Sequence, residues 1–118
     1  MQVMRVTEGK RTRSDNPAFV GPVLTQDVVS DAMAALLRVT EVTFPAGARN
    51  KWHKHAADQV LIVTAGRGII ATEAEERIIT PGDVVLIPAN EKHRHGATAD
   101  AAMTHYAILT PGPMTILE

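Results

Sequence analysis

The sequence predicts an all-β domain, a small barrel or sandwich of short antiparallel strands. Three observations carry this. From about residue 18 the chain is a succession of short apolar runs rich in β-branched residues. Glycine- and proline-bearing turn signals cut these runs apart, PAG at 45–47, AGRG at 65–68 and TPGD at 80–83. No long helical pattern interrupts them, and strands at near-regular spacing without helices favour sandwiches and barrels. Barrel closure would also remove the exposed sheet edges of so β-rich a chain. The 118 residues suit one domain.

Taken in order, residues 7–17 (TEGKRTRSDNP) are polar and unpatterned, so residues 1–17 are read as an arm, with the barrel over 18–118. The basic residues Lys10, Arg11 and Arg13 are a solvated face of that arm or a contact for an anion. AFVGPVL opens the barrel, residues 27–33 stay open between helix and strand, and a strand is expected from about Leu36 to Phe44, where Val39, Glu41 and Thr43 alternate with Thr40, Val42 and Phe44. Strands are then expected in QVLIVTA, GIIATE, ERIIT, DVVLIP, KHRHGA, MTHYAIL and MTILE. The runs VLIV and VVLI are apolar on both faces and so need cover on both, one side of which a second subunit would supply. A homodimer is therefore expected, with the arm as a possible swapped strand.

Composition excludes several functions. A net charge of −1 gives no field that attracts nucleic acid or an anionic membrane. The absence of cysteine removes thiol catalysis, thiolate metal sites and disulfides, and a cytoplasmic location is expected. With three aromatic residues in a hundred there is little to stack bases on; the pocket is expected to be walled by aliphatics such as Val42, Leu61, Leu86 and Met103, which suits a small-molecule ligand.

Chemistry concentrates in five histidines, His53, His55, His93, His95 and His105. Residues i and i+2 of a strand share a face with Cα atoms about 6.5–7 Å apart, so His53 and His55 project side by side and can converge on one ion, while Trp52 and Lys54 point away. His93 and His95 repeat the spacing. Gln59 adds an amide oxygen after a short turn. An HxH on a strand is by itself often only a polar face, but here the pairs are framed by turns: residues 47–66 read G-x5-H-x-H-x3-Q-x6-G and residues 82–93 read G-x5-P-x-N-x2-H.

These two stretches resemble the two signature motifs of the cupins, small jelly-roll β-barrels (double-stranded β-helices). The first matches at Gly47, His53, His55 and Gly66, with Gln59 where many cupins carry glutamate; the second at Gly82, Pro88 and His93, with Asn90 replacing a common glycine and Ala97 a trailing asparagine. Asn90 tolerates the positive φ such a turn demands. The segments WHKHAADQVLIVTAGRG, PGDVVLIPANEKHRHGA and AMTHYAI are similar to the manganese-dependent cupin hydroxynitrile lyases and to cupins allied to carboxymuconolactone decarboxylases. The resemblance implies that His53, His55, Gln59 and His93 hold one divalent ion, manganese or iron in preference to zinc or nickel, and that His95 and His105 line the cavity as catalytic residues, His105 first as a proton shuttle. Two positions depart from the lyases: Asn50 stands where a threonine is expected, and Leu109 where a glutamine is. The function this implies is Lewis-acid chemistry on a small oxygenated substrate, as a lyase or isomerase. An iron-dependent dioxygenase, a ligand-binding or sensing module and a metal-free structural barrel are the alternatives, separated by metal identity, oxygen consumption and product formation.

Overall fold

A computed structural model describes residues 1–118 and is built almost wholly of antiparallel strands. After a 3-10 turn at Glu8–Lys10 come β1 (Thr12–Arg13), β2 (Phe19–Val20), β3 (Leu24–Val29), β4 (Arg38–Phe44), β5 (Arg49–Asn50), β6 (His53–His55) and β7 (Gln59–Gly66). They are followed by β8 (Gly68–Thr72), β9 (Glu76–Ile79), β10 (Val84–Ile87), β11 (His93–Ala97), β12 (Met103–Leu109) and β13 (Met114–Ile116). One sheet runs β1-β3-β4-β12-β7-β10; the other runs β13-β6-β11-β5-β2, with β8 and β9 added beside β11. The two face each other as the layers of a jelly roll. No helix is long and apolar enough to cross a membrane.

The expected turns form as their residues require. Ala48 N–H closes on Pro45 C=O at 2.9 Å with Gly47 at φ 78°, and Asp83 N–H closes on Thr80 C=O at 3.0 Å with Gly82 at φ 96°. Gly66, at φ 79°, turns β7 into β8 so tightly that an added Cβ would lie 1.9 Å from Ala102 C=O. Asn90 adopts φ 69°, as its tolerance of that region predicts, and its N–H donates to His55 C=O at 2.7 Å.

Phe44, Leu61, Val63 and Met103 fill one end of the barrel together with Val23, Ile70 and Ile79. Phe44 is fully buried and meets Phe19 edge-on at 5.9 Å. In the β4–β12–β7 register Phe44, Met103 and Gly66 lie at this closed end, and Arg38, Leu109 and Gln59 lie at the other. Alternation along these strands therefore packs the apolar end and leaves the polar end for a cavity.

Two expectations need correcting. The strand expected from Leu36 begins at Arg38, because residues 31–36 turn and leave Leu36 and Leu37 exposed. Leu86 does not wall the cavity: its register with Val60 puts it on the outer face, where it is exposed, while Leu61 and Met103 belong to the closed core. Within the arm, β1 pairs with β3 of the same chain and Arg11 bonds the buried Glu41 carboxylate at 2.7 Å, joined there by Gln26 at 2.7 Å. The anion that Arg11 contacts is internal.

Candidate metal centre

β5 and β6 are two pieces of one strand, both paired with β11, and their registers disagree by one residue: Arg49 lies opposite Gly96, and His53 opposite His93. One extra residue is therefore accommodated at Lys51–Trp52, a bulge. Without it, Asn50 and His53 would face opposite sides of the sheet; with it, Asn50, His53 and His55 all line one cavity. Trp52 and Lys54 point outward, Trp52 lying beneath Arg94 at 4.9 Å and Lys92 at 5.5 Å.

The imidazoles of His53, His55 and His93 converge. Each offers a ring nitrogen, and these nitrogens lie within 4.8 Å of one another. Ring centroids stand 4.3 Å apart for His53 and His93 and 5.0 Å for His53 and His55. Two of the tautomers are fixed by carbonyls, which only accept: His53 Nδ1–H donates to Lys51 C=O at 2.7 Å, and His93 Nδ1–H to Glu91 C=O at 2.8 Å. Both rings thus turn a bare Nε2 inward, with the backbone bond that commonly supports a ligating histidine. His93 Nε2, His55 Nδ1 and Gln59 Oε1 are buried with no hydrogen-bond partner in the protein. Such orphans are costly unless something completes them, and three nitrogens with an amide oxygen are a donor set that a divalent cation fits. Burial pushes His53 and His55 down to about 4, the neighbouring imidazoles and, for His55, the Arg38 guanidinium adding to it; burial also lowers His93. All three are neutral at pH 7, the form that ligates.

His95 and His105 stand beside the cluster in a line of hydrogen bonds whose direction can be derived. The backbone N–H of His95 donates to Asn50 at 2.8 Å, which identifies that atom as the amide oxygen. The Asn50 nitrogen must then donate to His95 Nε2, at 2.9 Å. Neutral His95 therefore carries its hydrogen on Nδ1 and gives it to His105 Nε2 at 3.0 Å. His105 is left with its hydrogen on Nδ1, buried close to the backbone of Tyr106 and of His105 itself but with no well-formed hydrogen bond. Burial, with smaller contributions from nearby histidines, holds His95 well below the usual range, and burial brings His105 to about 4.

The cavity over these residues measures about 420 Å³. It brings together His53, His55, Gln59, His95 and His105, and His93, fully buried, lies opposite His53 on the neighbouring strand. Ala107, Leu109 and Met114 supply apolar wall. The lining also includes two charged residues that the sequence did not point to, Arg38 and Asp27. Arg38 shares strand parity with Val42, a residue already assigned to the wall.

The chain belongs to the cupin family: the Cupin domain matches residues 40–109. It is 43% identical over 113 residues to a protein named (R)-mandelonitrile lyase from Granulicella tundricola, covering 92% of this chain and 83% of that one. A cupin-like protein from Thermotoga maritima superposes with a TM-score of 0.87 at 35% identity, over 97% of this chain and 89% of the other. The polyketide cyclase RemF from Streptomyces resistomycificus, 14% identical, shares the fold with a TM-score of 0.84 over 99% and 87%.

Proposed function

We propose that this chain is a metal-dependent lyase or isomerase acting on a small oxygenated compound, with cyanohydrin cleavage among its reactions. The reading is carried by the convergence of the His53, His55 and His93 nitrogens within 4.8 Å. The likeness to a relative named (R)-mandelonitrile lyase supports cyanohydrins as the chemistry to test. His53, His55, His93 and Gln59 would hold the divalent ion, manganese or iron by preference. Once bound, such an ion supplies Lewis acidity that lowers the pKa of a substrate hydroxyl. All four donors are neutral, so they cancel none of its charge and the site favours anions.

In cyanohydrin cleavage the hydroxyl gives up its proton, the bond between the carbinol and nitrile carbons breaks as a carbonyl forms, and cyanide leaves with the electron pair to take up a proton. His105, with its hydrogen on Nδ1, acts as hydrogen-bond donor to the departing anion. His95 positions it, and Asn50 positions His95. The same arrangement occupies the His105 Nε2 lone pair, so the hydroxyl proton leaves through solvent at the cavity mouth. A threonine at position 50 could donate or accept and would permit either tautomer; Asn50 permits one, so cyanohydrin cleavage is expected to be slow.

Metal analysis and mandelonitrile cleavage test the reading together. The wild type should hold about one metal ion per chain, absent from His53→Ala. Cleavage should exceed that of free ion and fall about tenfold or more in His105→Ala. Metal-loaded protein that cleaves no faster than free ion would overturn the lyase; protein that takes up no metal would overturn the centre.

A further inference from the structure

Among the residues lining the histidine cavity one carries a permanent positive charge, Arg38. It opens β4 with the parity of Val42 and Phe44, so its side chain projects inward. Arg38 and Gln59 both register on Leu109 of the intervening β12, two strand spacings apart, about 9.5 Å. Arg38 and Gln59 thus stand on either side of an apolar residue at the open end of the barrel. Arg38 makes no hydrogen bond of its own, and its one ion pair, to Asp31, is 3.8 Å long and open to water. An exposed pair of that length contributes little, so the planar fork of N–H donors, matched to a carboxylate, is free to take a ligand. The lining itself holds one carboxylate, Asp27, and the Asp31 carboxylate lies outside it.

We propose that the ligand of this cavity is a small carboxylic acid bearing a hydroxyl or carbonyl oxygen, with its carboxylate held by Arg38 and its second oxygen turned toward His53, His55 and Gln59. The contact of that second oxygen rests on the metal centre proposed above; the Arg38 contact does not. Arg38 is then the residue that selects acids over neutral analogues of the same shape.

Mandelate and its neutral counterpart mandelamide are the probes, titrated calorimetrically into wild type, Arg38→Gln and Arg38→Lys, each metal-loaded and metal-stripped, with metal content measured in parallel. Wild type should bind mandelate about tenfold or more tightly than mandelamide, in both metal states. In Arg38→Gln the two ligands should bind within about threefold of each other in the stripped protein, with melting temperature and metal content unchanged, and Arg38→Lys should retain part of the preference. An equal preference in wild type and Arg38→Gln, or no preference in wild type, overturns the proposal. If the protein takes up no metal, the metal centre fails, and the stripped titrations still decide the role of Arg38.

Discussion

Asn50 shows how one side chain can settle the placement of protons several atoms away. Its amide is oriented by a backbone N–H, and that orientation passes through His95 to His105. Asn50→Asp removes the donor, so His95 should move its hydrogen from Nδ1 to Nε2 and free His105 to accept; 15N chemical shifts of the two rings would report it, and unchanged shifts would refute the chain of bonds. Gln59→Glu should cancel one unit of charge, tightening divalent-ion binding on the order of tenfold and weakening the binding of anions, as competition with a chelator and titration with mandelate would measure. The pH dependence follows from burial. Unfolded, each histidine titrates near 6.5; folded, His53, His55 and His105 lie at about 4. Above pH 6.5 both states are neutral and stability is complete. As pH falls from 6.5 toward 4 the unfolded chain takes up protons that the folded one refuses, and metal-free protein loses stability, by up to about 1.4 kcal/mol per pH unit for each of the enclosed His53 and His105 and less for half-buried His55. Thermal melts across that window check it; a flat melting temperature would mean the rings are hydrated. The histidine pairs and Gln59 were legible because strand parity is legible. Arg38 shares that parity, but a charged residue at the start of a strand carries no signal of a cavity by itself.

At the level of elements, the strands and turns followed from β-branched runs and glycine positions, and Asn90 and Gly66 took the backbone conformations their places in the motifs demand. The bulge at Lys51–Trp52 was not legible. Nothing in the residues Lys51 and Trp52 announces an extra residue, because a bulge is defined by the partner strand, and pairing of β6 with β11 is a long-range fact. For the same reason the inward turn of Asn50 could not be read beside that of His53. Gly66→Ala tests the turn between β7 and β8: positive φ and the approach to Ala102 C=O together should cost on the order of 3 kcal/mol or more, visible in the denaturation midpoint. Gly82→Ala, at φ 96° with open space around it, carries the backbone term alone and should cost less.

For the whole molecule, the all-β barrel was readable from composition and turn spacing, but which end would be packed and which open depended on register. The outer face of the six-stranded sheet carries Val60, Ile62 and Ile108 beside the exposed Val84 and Leu86, the second apolar face anticipated in VLIV and VVLI. We propose that a second copy covers it in a two-fold dimer. Light scattering should give a dimer for wild type and a monomer for the double variant Val84→Asp with Leu86→Asp; a monomeric wild type would refute the interface.

The Arg11–Glu41–Gln26 knot on that same sheet has a practical corollary. Burial works to raise the Glu41 carboxyl, and the hydrogen bonds from Arg11 and Gln26 outweigh it and hold it ionised. A shortened protein beginning after Arg11 would strand an anion beneath a missing strap, so trimming the arm for crystallisation would harm the barrel itself.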